Sequence, residues 1–234
     1  MKAVILAGGF GTRLRSIVSE VPKGMASIAG KPFLEYQVSW LVAQGIEGII
    51  LCLGYMAEKI IEHFGDGKAF GVHITYSEEN EPLGTGGALR LAKDLLPSRF
   101  LVLNGDTIVD MPVKEMIVAH NASRAIFSIA LVRVDDVAAY GEVVTDEHGR
   151  VQAFREKGRH GPGLINAGLY IMEKSILDAI PPGRACSLEK EVLPRLLAEG
   201  RPIYGFVHQG YFLDIGTPEN YKRAQEEIPG RFYR

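Results

Sequence analysis

A chain of 234 residues, 47% hydrophobic and 23% charged, is long enough for one sizeable α/β domain and has the balance of a soluble globular protein. Its 26 basic and 28 acidic side chains leave a formal charge of −2, too little field to hold nucleic acid or an anionic membrane. Two cysteines without metal-ligand spacing exclude a disulfide framework, and no run approaches the ~18 apolar residues of a membrane span.

In chain order, Ala3–Leu6 reads as a buried strand and breaks at Gly8, too early for a signal-peptide core, so a cytoplasmic location is expected. Phe33–Gln44 reads as a helix, Gly48–Leu53 as a strand, Met56–Phe64 as a helix, and Val72–Tyr76 as a strand. Thr85–Leu96 follows as a helix and Phe100–Leu103 as a strand. Such alternation implies right-handed crossovers, a mostly parallel sheet with helices on both faces, and ligands at the carboxyl ends of its strands. The second half is richer in strands: Ala125–Arg133, Glu142–Thr145, Val151–Glu156 and Gly163–Met172, with Asp146-Glu147-His148-Gly149 as a hairpin turn. A helix over Leu188–Ala198, a strand over Ile203–Val207 and a helix entered through Thr217-Pro218 complete the pattern. With no linker or repeat, residues 1–234 read as a single domain. A nucleotide-binding half is expected to run to about residue 110, and a smaller substrate-binding half from about residue 111.

The loop after the first strand, Leu6-Ala7-Gly8-Gly9-Phe10-Gly11-Thr12-Arg13-Leu14, carries the strongest chemical signal. Its glycines let backbone N–H groups approach a polyphosphate, and Arg13 adds a planar cation for phosphate oxygens. It is neither a Walker loop nor a dinucleotide fingerprint, since it lacks Gly-Lys-Ser/Thr and has Leu14 in place of the last glycine. A glycine turn with a surface arginine is the plainer alternative. Lys23, in Pro22-Lys23-Gly24-Met25, is a candidate second cation on the phosphates. Glu79 and Glu81-Pro82-Leu83-Gly84-Thr85-Gly86-Gly87 form a second glycine-rich segment that opens a helix and suits a flat base. Asp106, after Asn104-Gly105, and Asp214, in Phe212-Leu213-Asp214-Ile215-Gly216, are carboxylates placed to hold Mg²⁺; helix caps are the rival reading. In the second half, Glu156-Lys157 and Asn166-Ala167-Gly168 offer a carboxylate, an ammonium and an amide for a sugar phosphate, and Gly141 allows a close backbone approach.

Taken as an ordered set, Gly-Gly-x-Gly-Thr-Arg-Leu, Pro-Lys, Leu-Gly-Thr-Gly-Gly, Asn-Gly-Asp, Glu-Lys, Asn-x-Gly and Asp-Ile-Gly-Thr resemble the sugar-phosphate nucleotidyltransferase family over nearly the whole chain. The resemblance implies a Rossmann-like three-layer α/β/α fold with a mostly parallel, mixed central sheet. Arg-Leu-Arg-Ser, Glu-Pro-Leu-Gly-Thr-Gly-Gly-Ala and Phe-Leu-Asp-Ile-Gly are most similar to D-glycero-α-D-manno-heptose 1-phosphate guanylyltransferases. That implies GTP as donor, Mg²⁺ as cofactor and a GDP-sugar as product, for capsule or lipopolysaccharide biosynthesis. Mannose 1-phosphate guanylyltransferases and glucose 1-phosphate thymidylyltransferases share most of the motifs and stand as alternatives. The family implies Arg13, Lys23, Asp106 and Asp214 as catalytic, the aspartates as metal ligands. It implies nucleotide contacts from Leu6, Gly8, Gly9, Gly11, Thr12, Glu79, Pro82, Leu83, Gly84, Thr85, Gly87, Asn104 and Gly105. Gly141, Glu156, Lys157, Asn166 and Gly168 fall on its sugar-phosphate side.

Two departures stand out. Gly24 occupies the second proline position of Pro-Lys-Pro-Met, which is expected to loosen the loop, and Arg15-Ser16-Ile17 replaces Pro-Leu-Thr. The β-helix domain of some bifunctional relatives is expected to be absent, and a homo-oligomer stays open because relatives vary in assembly. A glycosyltransferase would need no arginine-bearing loop for a departing pyrophosphate. A regulatory nucleotide-binding module would have no need of all four catalytic residues.

Overall fold

The computed structural model describes residues 1–9, 11 and 20–232. Valine, isoleucine and leucine crowd the short runs of the first half, and these runs form four neighbouring strands, three inner and one at the edge, of a seven-stranded sheet. The strands are β1 Lys2–Leu6, β2 Gly48–Leu53, β3 His73–Glu78, β4 Arg99–Asn104, β5 Phe127–Val134, β6 Gly163–Glu173 and β7 Ile203–His208. They lie in the order β7-β5-β6-β4-β1-β2-β3. β1 is parallel to β2 and β4, β2 to β3, and β7 to β5, while β6 is antiparallel to both its neighbours.

Alternation along each strand separates two apolar layers. Ala3 and Ile5 pack with α1 (Phe33–Ala43), α2 (Ala57–Phe64), α4 (Val113–Ser123) and α6 (Pro218–Glu227), through residues such as Leu34, Ile60, Met116 and Ala224. Val4 and Val102 face the other way, toward Leu89 of α3 (Gly84–Leu91) and Leu193 and Leu196 of α5 (Leu193–Ala198). The result is the expected three-layer α/β/α arrangement. A hairpin of Glu142–Thr145 against Val151–Arg155 flanks the second layer.

Three elements differ from the sequence reading. The helix expected over 85–96 is α3 followed by a 3₁₀ turn, Ala92–Leu95. The helix expected over 188–198 opens with a π turn, Leu188–Val192, before α5. Pro194 has no N–H to donate to the carbonyl four residues back, and Leu193 N just before it donates five residues back to Leu188 O; Ser187 Oγ caps the start of the turn by accepting from Lys190 N at 3.2 Å. Helix α4 escaped the reading because its pattern is inverted: Val118 is 67% exposed while His120 is buried.

From β1 the chain builds outward through β2 and β3, then returns to the opposite side of β1 as β4. The loops leaving the carboxyl ends of β1 and β4 therefore diverge, and a crevice opens between them. A two-stranded antiparallel ladder, Thr107–Val109 with Phe212–Asp214, closes one side and sets Asp214 opposite Thr107.

Candidate active site

The crevice is a cavity of about 580 Å³, lined by Leu6 to Gly9, Gly11, Lys23, Glu79, Pro82, Gly84, Thr85, Asn104 to Asp106 and Lys157. Thirteen positions singled out from the sequence meet there: Leu6, Gly8, Gly9, Gly11, Lys23, Glu79, Pro82, Gly84, Thr85, Asn104, Gly105, Asp106 and Lys157. Thr12, Arg13 and Arg15-Ser16-Ile17 lie outside the described residues.

One end of the cavity is cationic and acidic. Lys23 Nζ donates to Asp106 Oδ2 at 2.7 Å and lies 3.7 Å from Asp214 Oδ1, with side-chain exposures of 12%, 34% and 17%. The ladder makes this possible: Ile215 N donates to Asp106 O at 2.9 Å, so the two carboxylates reach the same point. Neither aspartate caps a helix. Asp214 Oδ1 instead accepts from Gly216 N at 2.6 Å. Lys23 sits in a 3₁₀ turn, Lys23–Met25, closed by Met25 N to Pro22 O at 2.8 Å and Ala26 N to Lys23 O at 3.1 Å. Gly24 is buried in that turn, and a Cβ there would press to 2.7 Å from Leu34 Cδ1, so packing accounts for the glycine where the family has proline. Lys157 at the rim has no ion-pair partner among the described residues.

The other end is apolar with one carboxylate. Cys52, Ala88 and Pro82 wall it, and Glu79, at the end of β3, faces Gly8 and Gly54. A Cβ on Gly8 would lie 2.7 Å from Glu79 Oε1, so the glycine makes room for the carboxylate. Glu79 Oε2 accepts from Leu83 N at 3.1 Å. Burial raises the Glu79 carboxyl above its ordinary value, opposed in part by that N–H. Burial, aided by Glu79, pushes the Cys52 thiol up to about 12, so it is an inert wall.

The glycines at 84–87 serve packing. The N–H groups of Gly86 and Gly87 donate to Cys186 O at 2.9 and 3.2 Å, and Cys186 N donates to Leu83 O at 2.8 Å. A Cβ at Gly84 would meet Cys186 O at 2.8 Å, and one at Gly87 would meet Arg184 O at 3.0 Å. These amides of the α3 N-terminus are thus already engaged, and Leu83 and Gly87 lie behind the cavity wall.

Glu189 also lines the cavity, and the sequence reading did not single it out. Its Oε2 accepts from Thr85 Oγ1 at 2.8 Å and Ser187 Oγ at 3.2 Å, and its Oε1 from Tyr170 OH at 3.1 Å. It lies in the π turn, Leu188–Val192, and helical periodicity does not forecast such a turn. Asn166 supports the same network: its Nδ2 donates to Tyr170 OH at 2.8 Å and its Oδ1 accepts from Gly168 N at 2.9 Å. Gly168, at φ +73°, passes close to Asn104 in a bulge of β6. Gly141, at φ +81°, lets its backbone lie beside Arg155 O, and Glu156 is exposed. Gly141, Glu156, Asn166 and Gly168 are not among the residues lining the cavity. Among the described residues no cluster of three or more His, Cys, Asp or Glu is arranged for a metal, and no helix is long and apolar enough to cross a membrane.

A doubly wound sheet with a two-ended crevice at its strand reversal, one end ionic and the other apolar, has the architecture of an α/β protein that binds a small ligand at the carboxyl ends of its strands. The chain belongs to the nucleotidyl transferase family, whose model matches residues 2–230. It is 43% identical over 229 residues to a mannose-1-phosphate guanylyltransferase of Mycobacterium tuberculosis, covering 97% of this chain and 64% of that protein. It is 42% identical over 229 residues to the D-glycero-α-D-manno-heptose 1-phosphate guanylyltransferase of Aneurinibacillus thermoaerophilus, covering 97% of this chain and 98% of that protein. The crystal structure of HddC from Yersinia pseudotuberculosis superposes with a TM-score of 0.87 at 40% identity, covering 97% of this chain and 98% of that one. The same protein complexed with GMP-PN superposes with a TM-score of 0.86.

Proposed function

We propose that this protein transfers the guanylyl group of GTP to the phosphate of D-glycero-α-D-manno-heptose 1-phosphate, releasing pyrophosphate and a GDP-sugar. One observation carries the choice of guanine: a carboxylate, Glu79, at the apolar end of the cavity. Guanine presents two adjacent donors, N1–H and N2–H, on its pairing edge, and a carboxylate offers two acceptors. Adenine presents an acceptor at N1, and uracil or thymine a donor flanked by carbonyls, so each matches a carboxylate less well. The 42% identity to the heptose 1-phosphate guanylyltransferase, along almost its full length, supports the acceptor. Mannose 1-phosphate is the second reading, because the relative at 43% identity bears that name and a manno ring is common to both sugars.

In this reading residues to about 110 hold the nucleotide and those beyond hold the sugar phosphate. A sugar phosphate has a second pKa near ~6, so its attacking oxygen is anionic at neutral pH and needs no general base. Catalysis is then positioning and charge neutralisation. Lys23 steadies the reacting phosphates, Lys157 draws in the sugar phosphate, and Arg13 has the role its motif implies, on the departing pyrophosphate. The donor set near Lys23 fits Mg²⁺: two oxygen ligands, from Asp106 and Asp214, converge where a cation already sits. Bound there, the metal would supply charge neutralisation at the phosphates.

The test is pyrophosphate release from purified protein with Mg²⁺, crossing GTP, dTTP, UTP, CTP and ATP with heptose, mannose and glucose 1-phosphates. Release confined to GTP with the heptose phosphate is expected. Preference for another nucleotide would overturn the Glu79 argument, and preference for mannose phosphate would replace the acceptor. Bound nucleotide with no release from any pair would favour a regulatory module.

A further inference from the structure

We propose that Lys23 is the resident cation of the divalent-metal site, closing it in the nucleotide-free protein and yielding it when nucleotide phosphates arrive. The inference rests on the assignment of Asp106 and Asp214 as metal ligands. Two carboxylates brought to one point repel each other unless a cation lies between them. Here the cation is the Lys23 ammonium, 2.7 Å from Asp106 Oδ2 and 3.7 Å from Asp214 Oδ1, on a side chain only 12% exposed.

A divalent ion on the two oxygens that Lys23 approaches, taking them at about 2.0–2.1 Å, would meet the ammonium at close range, where like charges repel. Lys23 must therefore leave Asp106 Oδ2 before a metal takes that oxygen, and its stem leaves it somewhere to go. Its backbone is fixed in the 3₁₀ turn, so motion is confined to the side chain. The stem runs along Gly11, where an added Cβ would lie 2.9 Å from Lys23 Cβ, and both residues line the same cavity. Rotation about the stem would carry the ammonium from the carboxylates along Gly11 into the cavity, where phosphates would receive it. Metal and nucleotide are thereby coupled: each makes the other's binding easier, and by reciprocity the factor is the same in both directions.

The test measures Mn²⁺ affinity by electron paramagnetic resonance on nucleotide-free protein. Lys23→Met and Lys23→Gln remove the charge, and Lys23→Arg keeps it. Both neutral variants are expected to bind Mn²⁺ at least about tenfold more tightly than wild type, which is about 1.4 kcal/mol, with Lys23→Arg close to wild type. A non-hydrolysable GTP analogue should tighten Mn²⁺ binding more in wild type than in the neutral variants. If neither folded neutral variant gains affinity, while Asp106→Asn still abolishes Mn²⁺ binding, the resident-cation inference is overturned and the metal site stands. Mn²⁺ binding that ignores Asp106→Asn in every background would overturn the metal assignment itself. Circular dichroism identifies a misfolded variant, and the three substitutions together keep the comparison decisive.

Discussion

Replacing Glu79 by glutamine is the sharpest test of the proposal that the apolar end of the cavity receives guanine. The change is isosteric, so the space that Gly8 leaves beside the carboxylate stays filled, and the amide oxygen can still accept from Leu83 N, now at 3.1 Å from Oε2. What is lost is the second acceptor and the charge, and an NH₂ now meets a guanine donor. A hydrogen bond to a charged partner contributes about 1.5–3 kcal/mol, so kcat/KM for GTP should fall roughly 10- to 100-fold. UTP and dTTP, which pair a donor with an acceptor, should lose far less, and discrimination against them should narrow. The acid limb carries a second signature. Burial raises the Glu79 carboxyl above its ordinary value of 4.5, so protonation on acidification removes the acceptor earlier than for an exposed carboxylate. KM for GTP should rise as pH falls through that raised value, and Glu79→Gln should erase the limb. Steady-state pyrophosphate release with each nucleotide across pH reads both effects. A variant within twofold of wild type on GTP would refute the base-reading argument.

Asp106→Asn should lower kcat by about 10²–10³ at saturating Mg²⁺, and near-normal turnover would remove its metal role. Gly84→Ala should lower the melting temperature, since its φ is +68° and the new Cβ would lie 2.8 Å from Cys186 O; overpacking of this kind costs about 1–3 kcal/mol. An unchanged melting temperature would mean that the segment at Cys186 yields without strain. Buried His120 is lowered from its ordinary value of 6.5, chiefly by burial, so the unfolded chain takes up a proton more readily than the folded one. Stability should therefore be full above about pH 6.5 and decline as pH falls through the folded value. Urea midpoints at several pH values would show this slope in wild type, and an equal slope in His120→Gln would assign it to other groups.

Much of this was legible in the residues. Gly48–Leu53 and Glu142–Thr145 were bounded to the residue, because apolar runs flanked by turn residues leave little freedom. The crevice was legible too: the Leu6–Gly11 loop, the segment after Glu79 and Asn104–Asp106 each lie at a strand's carboxyl end, where an α/β sheet gathers its ligands, and Lys23 joins them from its 3₁₀ turn. What stayed hidden depends on contacts between distant segments. The glycines at 84–87 look like room for a base, yet it is the backbone of Arg184 and Cys186 that comes up against them. Asn166 reads as a sugar contact, and the sequence does not show that its amide also braces β6, with Nδ2 donating to Tyr170 OH and Oδ1 accepting from Gly168 N. Glu189 joins the wall from within the π turn Leu188–Val192, and periodicity does not report such a turn.

The short ladder between Thr107–Val109 and Phe212–Asp214 has a bearing on synthesis. A nascent chain leaves the ribosome with Lys23 and Asp106 long before Asp214 exists. The closing segment is fastened to the start of the chain: Tyr221 OH and Gln225 Nε2 donate to Ser27 O at 2.7 and 2.8 Å, and Ala29 N donates to Gln225 Oε1 at 2.8 Å. A half-made polypeptide thus lacks the paired carboxylates, and an amino-terminal fragment left by premature termination carries Lys23 with only half of its acidic clasp.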